Sequence, residues 1–234
     1  MKKIIYLLFL ILFITRINAQ PINYPTIQAK SHQTLSIIKV DFRQNETVFH
    51  MRLVNRIKEG ADFCVDKNVK IVSNDFEGEL KMIRSENIEN CPGVYHFTKL
   101  NEPKSFQLFF PPLPKGVKEI DMIEDCSDNC FTINGIVLDR TLDSEMKNFD
   151  KALALYSKND FQGALPLFTE IRDNSQYTDR KHYGYSIYII PLLYNKLGDK
   201  TAAKSAFKKL KEKDFANKAY FIEQLKKIDY FKNL

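Results

Sequence analysis

The four cysteines are the residues whose type and spacing could most directly do chemistry, as disulfides, zinc ligands or redox thiols; they are Cys64, Cys91, Cys126 and Cys130. Structural zinc sites use pairs of closely spaced ligands, and thiol oxidoreductases use a C-x-x-C spacing. Here two cysteines stand alone and the other two are spaced C-x-x-x-C. We therefore predict two structural disulfides and no metal. Of the three possible pairings, the pattern favours Cys64–Cys91, which flank a predicted hairpin, with Cys126–Cys130 closing a short loop.

No other group of residues in the sequence indicates catalysis. The sequence contains no H-E-x-x-H, no G-x-S-x-G and no phosphate-binding glycine loop. The histidines are scattered and have no evident carboxylate partner; they are His32, His50, His96 and His182. Asp121, Glu124, Asp125 and Asp128 could hold calcium, but they lack the ordered spacing of a calcium loop and are interpreted as solvated. We predict a protein that is not an enzyme and needs no cofactor.

The charged residues are divided unevenly along the chain. Residues 20–144 carry 15 basic and 18 acidic side chains, whereas residues 145–234 carry 17 basic and 11 acidic ones. Such asymmetry indicates either an acidic partner or membrane surface, or lysines that coat exposed helix faces; we favour the second. The basic cluster at 204–213 consists of lysines without arginine, and we predict a solvated surface there and no nucleic-acid partner.

Residues 1–19 have the layout of a secretory signal peptide. Two lysines precede an unbroken apolar run of 11 residues, Ile4–Ile14, and Ala19 precedes the predicted cut. The run is shorter than the roughly 20 residues of a spanning helix, so we expect no membrane-spanning segment in the mature chain; an uncleaved N-terminal anchor is the alternative. An even number of cysteines suits an oxidising compartment. We predict an exported protein that is periplasmic, associated with the cell envelope or extracellular.

Residues 20–142 are predicted to form an antiparallel, Ig-like β-sandwich. TVFHMRLV alternates Phe49, Met51 and Leu53 with polar residues, and CFTINGIVL places Phe131, Ile133 and Val137 on one face, with either a bulge or a close approach at Gly135. Seven or eight short strands without a helical pattern indicate a sandwich. The run Pro111–Pro114 either forms a PxxP ligand or separates two strands; because it lies between apolar strands, we interpret it as a separator.

Three motifs between Phe106 and Ile136, namely FxLxFxPLP, IDxIE and FxIxGI, resemble a β-sandwich domain of uncharacterised exported bacterial proteins. The resemblance implies a fold and carries no activity.

From residue 143 to residue 234 the apolar period becomes helical, and five helices are predicted, with caps at Asp143-Ser144, Asp160, Asp199 and Asp214. NDFQGALPLF at 159–168 matches GDKTAAKSAF at 198–207, with an offset of 39 residues. The small residues Ala164 and Ala203 are each followed four positions later by a phenylalanine. This pattern resembles tetratricopeptide (TPR) repeats, although that family repeats every 34 residues. The resemblance implies a short TPR-like bundle that leans on the β-domain.

In TPR proteins the first helix of each repeat lines a groove that binds peptides. Carried over by alignment, that groove comprises Met146, Phe149, Leu153, Tyr156, Tyr185, Tyr188, Leu192 and Asn195. Either this face is exposed for a partner, or it packs on the sandwich or the fifth helix. We favour packing for the first four residues and select Tyr185, Tyr188, Leu192 and Asn195 as candidate partner-binding residues. The predicted function is non-catalytic binding of a protein or peptide partner in the cell envelope, as a scaffold or adaptor. The alternative is a sandwich that binds glycans or small ligands, with the helices as structural support.

Overall fold

The computed structural model describes residues 20–57, 60–127 and 129–234, so the predicted signal peptide lies outside the described residues. Within these ranges the first half of the chain consists of strands, which are β1 (Ile22–Asn23), β2 (Ile27–Lys30), β3 (Leu35–Phe42), β4 (Thr47–Val54), β5 (Asp62–Phe63), β6 (Val69–Val72), β7 (Leu80–Lys81), β8 (Arg84–Glu86), β9 (Tyr95–His96), β10 (Pro103–Phe110), β11 (Glu119–Glu124) and β12 (Thr132–Val137). They exceed the seven or eight predicted because five of them have only two or three residues.

Two five-stranded antiparallel sheets form a β-sandwich, as predicted. The first has the order β1-β3-β4-β10-β8 and the second β2-β12-β11-β6-β7. The largest core side chains, such as Phe49 and Phe106 from the first sheet and Phe131 from the second, are buried in one cluster. Alternation along β4 is confirmed, because Phe49, Met51 and Leu53 are buried and Arg52 is exposed. β2 and β7 lie at the two edges of the second sheet.

Gly135 lies at a bulge, which is one of the two alternatives predicted there, but the face predicted for Val137 is wrong. Between the pairs Ile120↔Ile136 and Met122↔Ile133 the register shifts, so that β12 carries one extra residue. Gly135 has a φ of +65°, which suits a residue without a Cβ. The extra residue reverses the alternation: Ile133 and Ile136 face the sandwich core, whereas Val137 faces the helices.

The proline run connects the two sheets, as the separator interpretation predicts. β10 ends at Phe110 in the first sheet, and β11 begins at Glu119 in the second. Leu113 packs against the sandwich core, and its N–H donates a hydrogen bond to Thr47 Oγ1 at 3.1 Å. The run is therefore anchored at its centre by apolar and polar contacts to the domain that it crosses.

Two disulfides join the pairs favoured from the sequence, Cys64–Cys91 and Cys126–Cys130. The first ties the segment before β6 to the turn before β9. The second closes a loop between β11 and β12, whose two cysteines lie 4 positions apart. Both disulfides therefore lie within the β-sandwich domain.

The second half of the chain consists of helices, namely α1 (Arg140–Ser157), α2 (Phe161–Asn174), α3 (Lys181–Lys196), α4 (Lys200–Glu212), α5 (Lys218–Lys226) and a 3₁₀ turn (Asp229–Phe231). The caps predicted at Asp160 and Asp199 are confirmed, since each carboxylate accepts a hydrogen bond from the N–H three residues on. The other two predicted caps are wrong. The cap of α1 lies four residues before Asp143, at Asp139, which accepts from the N–H groups of Thr141 and Leu142, and α5 follows Asn217. None of the helices that the structure describes is long and apolar enough to cross a membrane.

The small and aromatic positions of the sequence repeat are the buried contacts between the helices. Ala164 and Phe168 of α2, and Ala203 and Phe207 of α4, are at most 1% exposed. Ala164 and Phe168 share a core with Ala152 of α1, while Ala203 and Phe207 belong to a second core that reaches α5 and the 3₁₀ turn. The apolar pattern of the repeat thus specifies how successive helices pack.

The helical domain docks on the sandwich through a small apolar core. Val137 at the end of β12 packs with Leu142 of α1 and Tyr177 of the α2–α3 loop, and Met146 covers their edge. Leu142 is fully buried. Because Val137 reaches this core through the bulge at Gly135, a local irregularity of β12 contributes directly to the domain interface.

Hydrogen bonds and ion pairs surround this apolar core. The Thr26 N–H donates to Asp143 Oδ1 at 2.7 Å across 117 positions of sequence. Lys147 Nζ lies 2.6 Å from Asp143 Oδ2 and 3.4 Å from the carbonyl oxygen of Asn23. Further along, Arg180 Nη1 lies 2.8 Å from Glu119 Oε2. These contacts fix β2 and β11 relative to α1 and the start of α3.

Candidate functional site

An open cleft of about 940 Å³ lies where the helical domain meets the edge of the second sheet. We call it the interdomain cleft. Residues of α1, α3 and α5 line the helical side, and Thr26, Ile27 and Gln28 line the sandwich side. The last two of these belong to β2, which is an edge strand. Among the described residues β2 pairs only with β12, so the cleft is lined in part by a strand that has a neighbour on one side only.

Four aromatic rings form the helical wall: Phe149 of α1, Tyr185 of α3, and Tyr220 and Phe221 of α5. The rings of Phe149 and Tyr185 have centroids 5.9 Å apart and planes at 85°. Tyr185 meets Phe221 at 6.2 Å and 81°, and Tyr220 meets Phe221 at 5.5 Å and 68°. Tyr185 and Tyr220 are 37% and 59% exposed, which is unusual for side chains of this size. The wall is a continuous series of edge-to-face contacts in the order Phe149, Tyr185, Phe221 and Tyr220, and both of its tyrosines are accessible.

The rim of the cleft carries charges of both signs. Arg180 is neutralised by its ion pair with Glu119, where both side chains are partly exposed. Asp150, Asp179 and Lys181 also line the cleft, and no ion pair or hydrogen bond joins them to another of the residues that the structure describes. Burial raises the pKa of the Asp150 carboxyl, and the nearby His182 charge lowers it. Burial likewise raises the pKa of the Tyr185 hydroxyl, so the phenol is a neutral donor at physiological pH.

A buried histidine–glutamate pair supports the aromatic wall from behind. His182 Nε2 lies 2.6 Å from Glu145 Oε1, and the side chains are 8% and 10% exposed. Ser175 Oγ donates to the same carboxylate oxygen at 2.6 Å, and the Phe149 ring packs edge-on against His182 at 5.9 Å. The serine thus contacts the carboxylate and not the imidazole, so the group lacks the nucleophile–base contact of nucleophilic catalysis. Its evident role is to join α1, α3 and the loop before α3 beneath Phe149.

The expectation that the histidines lack carboxylate partners is wrong. His50 Nε2 lies 2.8 Å from Asp41 Oδ2, and His96 Nδ1 lies 2.5 Å from Asp62 Oδ1. Each of these pairs spans two neighbouring strands. His182 has the partner described above, 37 positions away. All three pairs depend on tertiary contacts, which a search for local motifs does not detect.

The residues carried over from the TPR alignment are divided by the structure. Tyr185 lines the cleft, as do three of the residues from the first predicted helix, Met146, Phe149 and Leu153. Tyr188 lies behind the wall, half-buried, and stacks on Phe221 at 5.0 Å and 30°. The other three residues do not line the cleft.

Leu192 is half-buried against both helical cores, Asn195 accepts a hydrogen bond from Lys200 Nζ, and Tyr156 packs on Phe161 with ring centroids 5.6 Å apart. The packing that we favoured for the first helix holds for Met146, which covers the domain interface. Phe221 of α5 covers part of α3, which carries the second set of predicted groove residues. α5 therefore fills part of the predicted groove. The part that remains open is lined by Met146, Phe149, Leu153 and Tyr185.

The sequence analysis missed the contribution of α5, of the 179–182 segment and of β2. The helical period of the fifth predicted helix places Phe215, Ala219, Ile222 and Leu225 on one apolar stripe. Tyr220 and Phe221 fall outside that stripe, and two adjacent aromatic residues off the buried face of an amphipathic helix are a signal that could have been used. No local pattern marks the sheet edge, because its position depends on strand order.

Within the described residues, no group of three or more His, Cys, Asp or Glu side chains is placed to hold a metal ion. The acidic residues beside the second disulfide serve internal contacts. Asp121 accepts a hydrogen bond from a backbone N–H of β12 at 2.7 Å, and buried Glu124 accepts from the N–H groups of Asp66 and Phe131 at 2.7 and 3.0 Å. Burial raises the pKa of Glu124. Asp128, which was grouped with them, lies outside the described residues.

The chain has no match among protein-family models and none among curated proteins. Among solved structures it is similar to the cupredoxin domain of amoB from Nitrosocaldus yellowstonii, with 15% identity and a TM-score of 0.26. The match covers 41% of this chain and 56% of that one, so the chain spans little more than half of that structure. A likeness of this extent assigns neither a family nor an activity.

Proposed function

We propose that this protein is an exported, non-catalytic binding protein that holds a peptide segment of a partner protein in the interdomain cleft. The observation that carries the proposal is the aromatic wall, which leaves Tyr185 and Tyr220 accessible in a cleft that residues of an edge strand also line. Tyrosine is a preferred anchor at interfaces, because it buries a large apolar ring and keeps a polar tip. An edge strand gives an extended chain backbone groups with which to pair.

The openness of the cleft, more than its volume, supports a peptide over a small metabolite. Ligand pockets of proteins measure roughly 300–1,000 Å³ and enclose most of the ligand. This cleft has about 940 Å³ and is open to solvent. Its walls are held in place by ring–ring contacts and by the buried pair of His182 with Glu145. A rigid, open, aromatic surface binds part of a larger molecule with little ordering cost on the protein side.

Two features of the sequence support the location and architecture of the proposal. The signal-peptide layout of residues 1–19 and the two disulfides support export to an oxidising compartment. The resemblance of residues 145–213 to TPR repeats supports a role for the helices in holding a partner. The protein would then act as a scaffold or adaptor in the cell envelope.

The test is affinity capture with photo-crosslinking, using the exported protein as bait in the envelope fraction and medium of the producing cells. A photoreactive residue at Ile27 would report whether the partner lies along β2. We expect a crosslinked protein or peptide with the unmodified cleft, and a loss of at least fivefold in its yield with the double variant Tyr185→Ala/Tyr220→Ala, which removes two anchors of the wall. The matched control is Tyr24→Ala, because Tyr24 is 64% exposed and lies outside the cleft.

Unchanged yield with the double variant would overturn the proposal. Capture of a glycan by the unmodified protein, with no crosslinked peptide, would overturn it in favour of the alternative function. Equal losses with the double variant and the Tyr24 control would also contradict it, because the effect would then not belong to the cleft.

A further inference from the structure

We propose, on the basis of the proposed function, that the interdomain cleft selects partner segments by a cationic side chain, the ammonium of lysine or the guanidinium of arginine. The cation would sit against the aromatic wall, with the carboxylate of Asp150 as its counter-ion. The inference concerns the chemistry of the occupant, whereas the proposed function concerns only its being a peptide.

The aromatic wall has the geometry of a corner. Tyr185 meets both Phe149 and Phe221 at angles above 80°, with centroid distances of 5.9 and 6.2 Å. The faces of aromatic rings carry negative electrostatic potential, and cations bind within about 6 Å of a ring centroid. Rings that meet at steep angles surround a cation from more than one side. A flat apolar ligand would gain no comparable advantage from a corner.

The charges around the cleft favour a cation over an anion. Arg180 is occupied by Glu119 at 2.8 Å, and His182 is occupied by Glu145 at 2.6 Å. Asp150, Asp179 and Lys181 remain, which leaves one net negative charge among the lining residues. Asp150 and Phe149 both belong to α1 and both line the cleft, so the cleft that holds the ring corner also holds a carboxylate. An anionic ligand would meet that carboxylate without a free arginine to balance it.

The surroundings of the Asp150 carboxyl also favour the binding of a cation. Its partial burial disfavours the ionised form, and among the described residues only the charge of His182 opposes that effect. A bound ammonium or guanidinium group would restore favourable electrostatics for the ionised carboxylate. Cation binding and the titration of Asp150 must therefore be linked, so that the bound cation lowers the pKa of this carboxyl.

The cation is expected on a peptide chain and not as a free ion. The cleft extends from the ring corner to Thr26, Ile27 and Gln28, so its volume of about 940 Å³ is far larger than a single cationic group fills. The residues that line that extension include Ile27 and Gln28 of β2, which is an edge strand. A lysine or arginine side chain presented by an extended backbone would use both parts of the cleft at once.

The experiment compares blocked pentapeptides Ac-Ala-Ala-X-Ala-Ala-NH₂, in which X is lysine or arginine, or one of their neutral counterparts, norleucine and citrulline. Each peptide is titrated into the exported protein, and binding is followed by NMR of the tyrosine and phenylalanine rings. We expect the better of the lysine and arginine peptides to bind about tenfold more tightly than its neutral counterpart. Asp150→Asn should reduce this preference to less than threefold and leave the affinity of the neutral peptides unchanged. The control Asp173→Asn changes an exposed helical aspartate outside the cleft and should preserve the preference. Carboxyl resonances should show the Asp150 pKa falling when the basic peptide is bound.

The outcomes separate the two proposals. Equal binding of basic and neutral peptides, with loss of both in Tyr185→Ala/Tyr220→Ala, would overturn the cation preference and leave the peptide cleft standing. No binding of any peptide, combined with unchanged crosslinking in that double variant, would overturn both. Methylguanidinium or methylammonium ions that bind as tightly as the peptides would overturn the inference by making the site one for small cations.

Discussion

The carboxylate of Asp143 should hold the two domains together, and its removal provides the clearest test of the interface. Asp143 lies in the first turn of α1, and its side chain is 10% exposed. It accepts hydrogen bonds from the Thr26 N–H at 2.7 Å and from Lys147 Nζ at 2.6 Å. The first of these joins the helical domain to the start of the strand that borders the cleft. The substitution Asp143→Ala removes both acceptors.

The expected loss follows from these two contacts. A hydrogen bond to a charged group contributes about 1.5–3 kcal/mol, and its removal leaves the Thr26 N–H without its acceptor. The ion pair with Lys147, whose side chain is 45% exposed, contributes less than about 1 kcal/mol. The free energy of unfolding should therefore fall by about 2–4 kcal/mol. Asp143→Asn keeps one oxygen for the Thr26 N–H and should lose about half as much.

The assay is equilibrium unfolding in urea, followed by far-ultraviolet circular dichroism and by tyrosine fluorescence. Tyrosine is the reporter because the chain has 11 Tyr and no Trp. The matched control is Asp173→Ala, which removes a helical aspartate that is 50% exposed and paired with Arg172, and which should cost less than about 1 kcal/mol. If Asp143→Ala lost no more than this control, the carboxylate would not hold the interface, and the docking contact between Thr26 and Asp143 would be refuted. Separate transitions for the two probes in Asp143→Ala alone would support the contact further.

Two other predictions concern a backbone position and a titrating group. Gly135 has a φ of +65°, and a Cβ added to it would lie 2.5 Å from Gln28 Cγ, whereas a Cβ added to Gly78, at a φ of +81°, would meet nothing within 4 Å. In urea unfolding, Gly135→Ala should therefore cost about 2–4 kcal/mol and Gly78→Ala only about 1 kcal/mol. Equal losses in the two variants would contradict the bulge. Glu102 accepts a hydrogen bond from the Tyr95 hydroxyl at 2.7 Å and further hydrogen bonds from Thr98. These hydrogen bonds, with that of Tyr95 as the largest cause, lower the pKa of Glu102 from 4.5 to about 2. Because the folded pKa is depressed, this carboxylate should stabilise the fold fully above pH 4.5 and lose that contribution as the pH falls toward 2. A carboxyl NMR titration should place its midpoint near 2 and show a rise in Tyr95→Phe, and a midpoint near 4.5 in both forms would refute the contact.

The sequence predicted those parts of the fold that depend on local periodicity. Two-residue alternation in β4 reports which side chains face the core, because successive residues of a strand point to opposite faces. The repeated pairs Ala164 with Phe168 and Ala203 with Phe207 are buried as their helical spacing requires. Even the bulge at Gly135 was evident, as one of two alternatives, from a glycine inside a strand pattern. Its consequence for Val137 was not, because the alternation was extended through the bulge without a change of parity.

The candidate site could be predicted only in part, because its members come from five separate regions of the chain. Tyr185 was found through the TPR resemblance, which specifies which face of a helix lines a groove. Whether α5 fills that groove depends on how Phe221 packs against Tyr188, at 5.0 Å, and no spacing rule encodes this contact. The pair His182–Glu145 spans 37 positions and forms only after α3 has packed against α1. Residues of the sheet edge become part of the site only once the domains dock.

The bulge of β12 connects the local pattern of a strand with the docking of the two domains. Without the extra residue, Val137 would share the face of Ile133 and point into the sandwich, and the chain would enter α1 without an apolar anchor for Leu142 and Tyr177. With the extra residue, Val137 packs against the helices, and residues of the edge strand β2 line the same cleft as the aromatic wall. The interdomain cleft therefore depends on a glycine that does not line it. This dependence explains why the candidate site belongs to the junction of the domains and could not be assigned to either domain from its own sequence pattern.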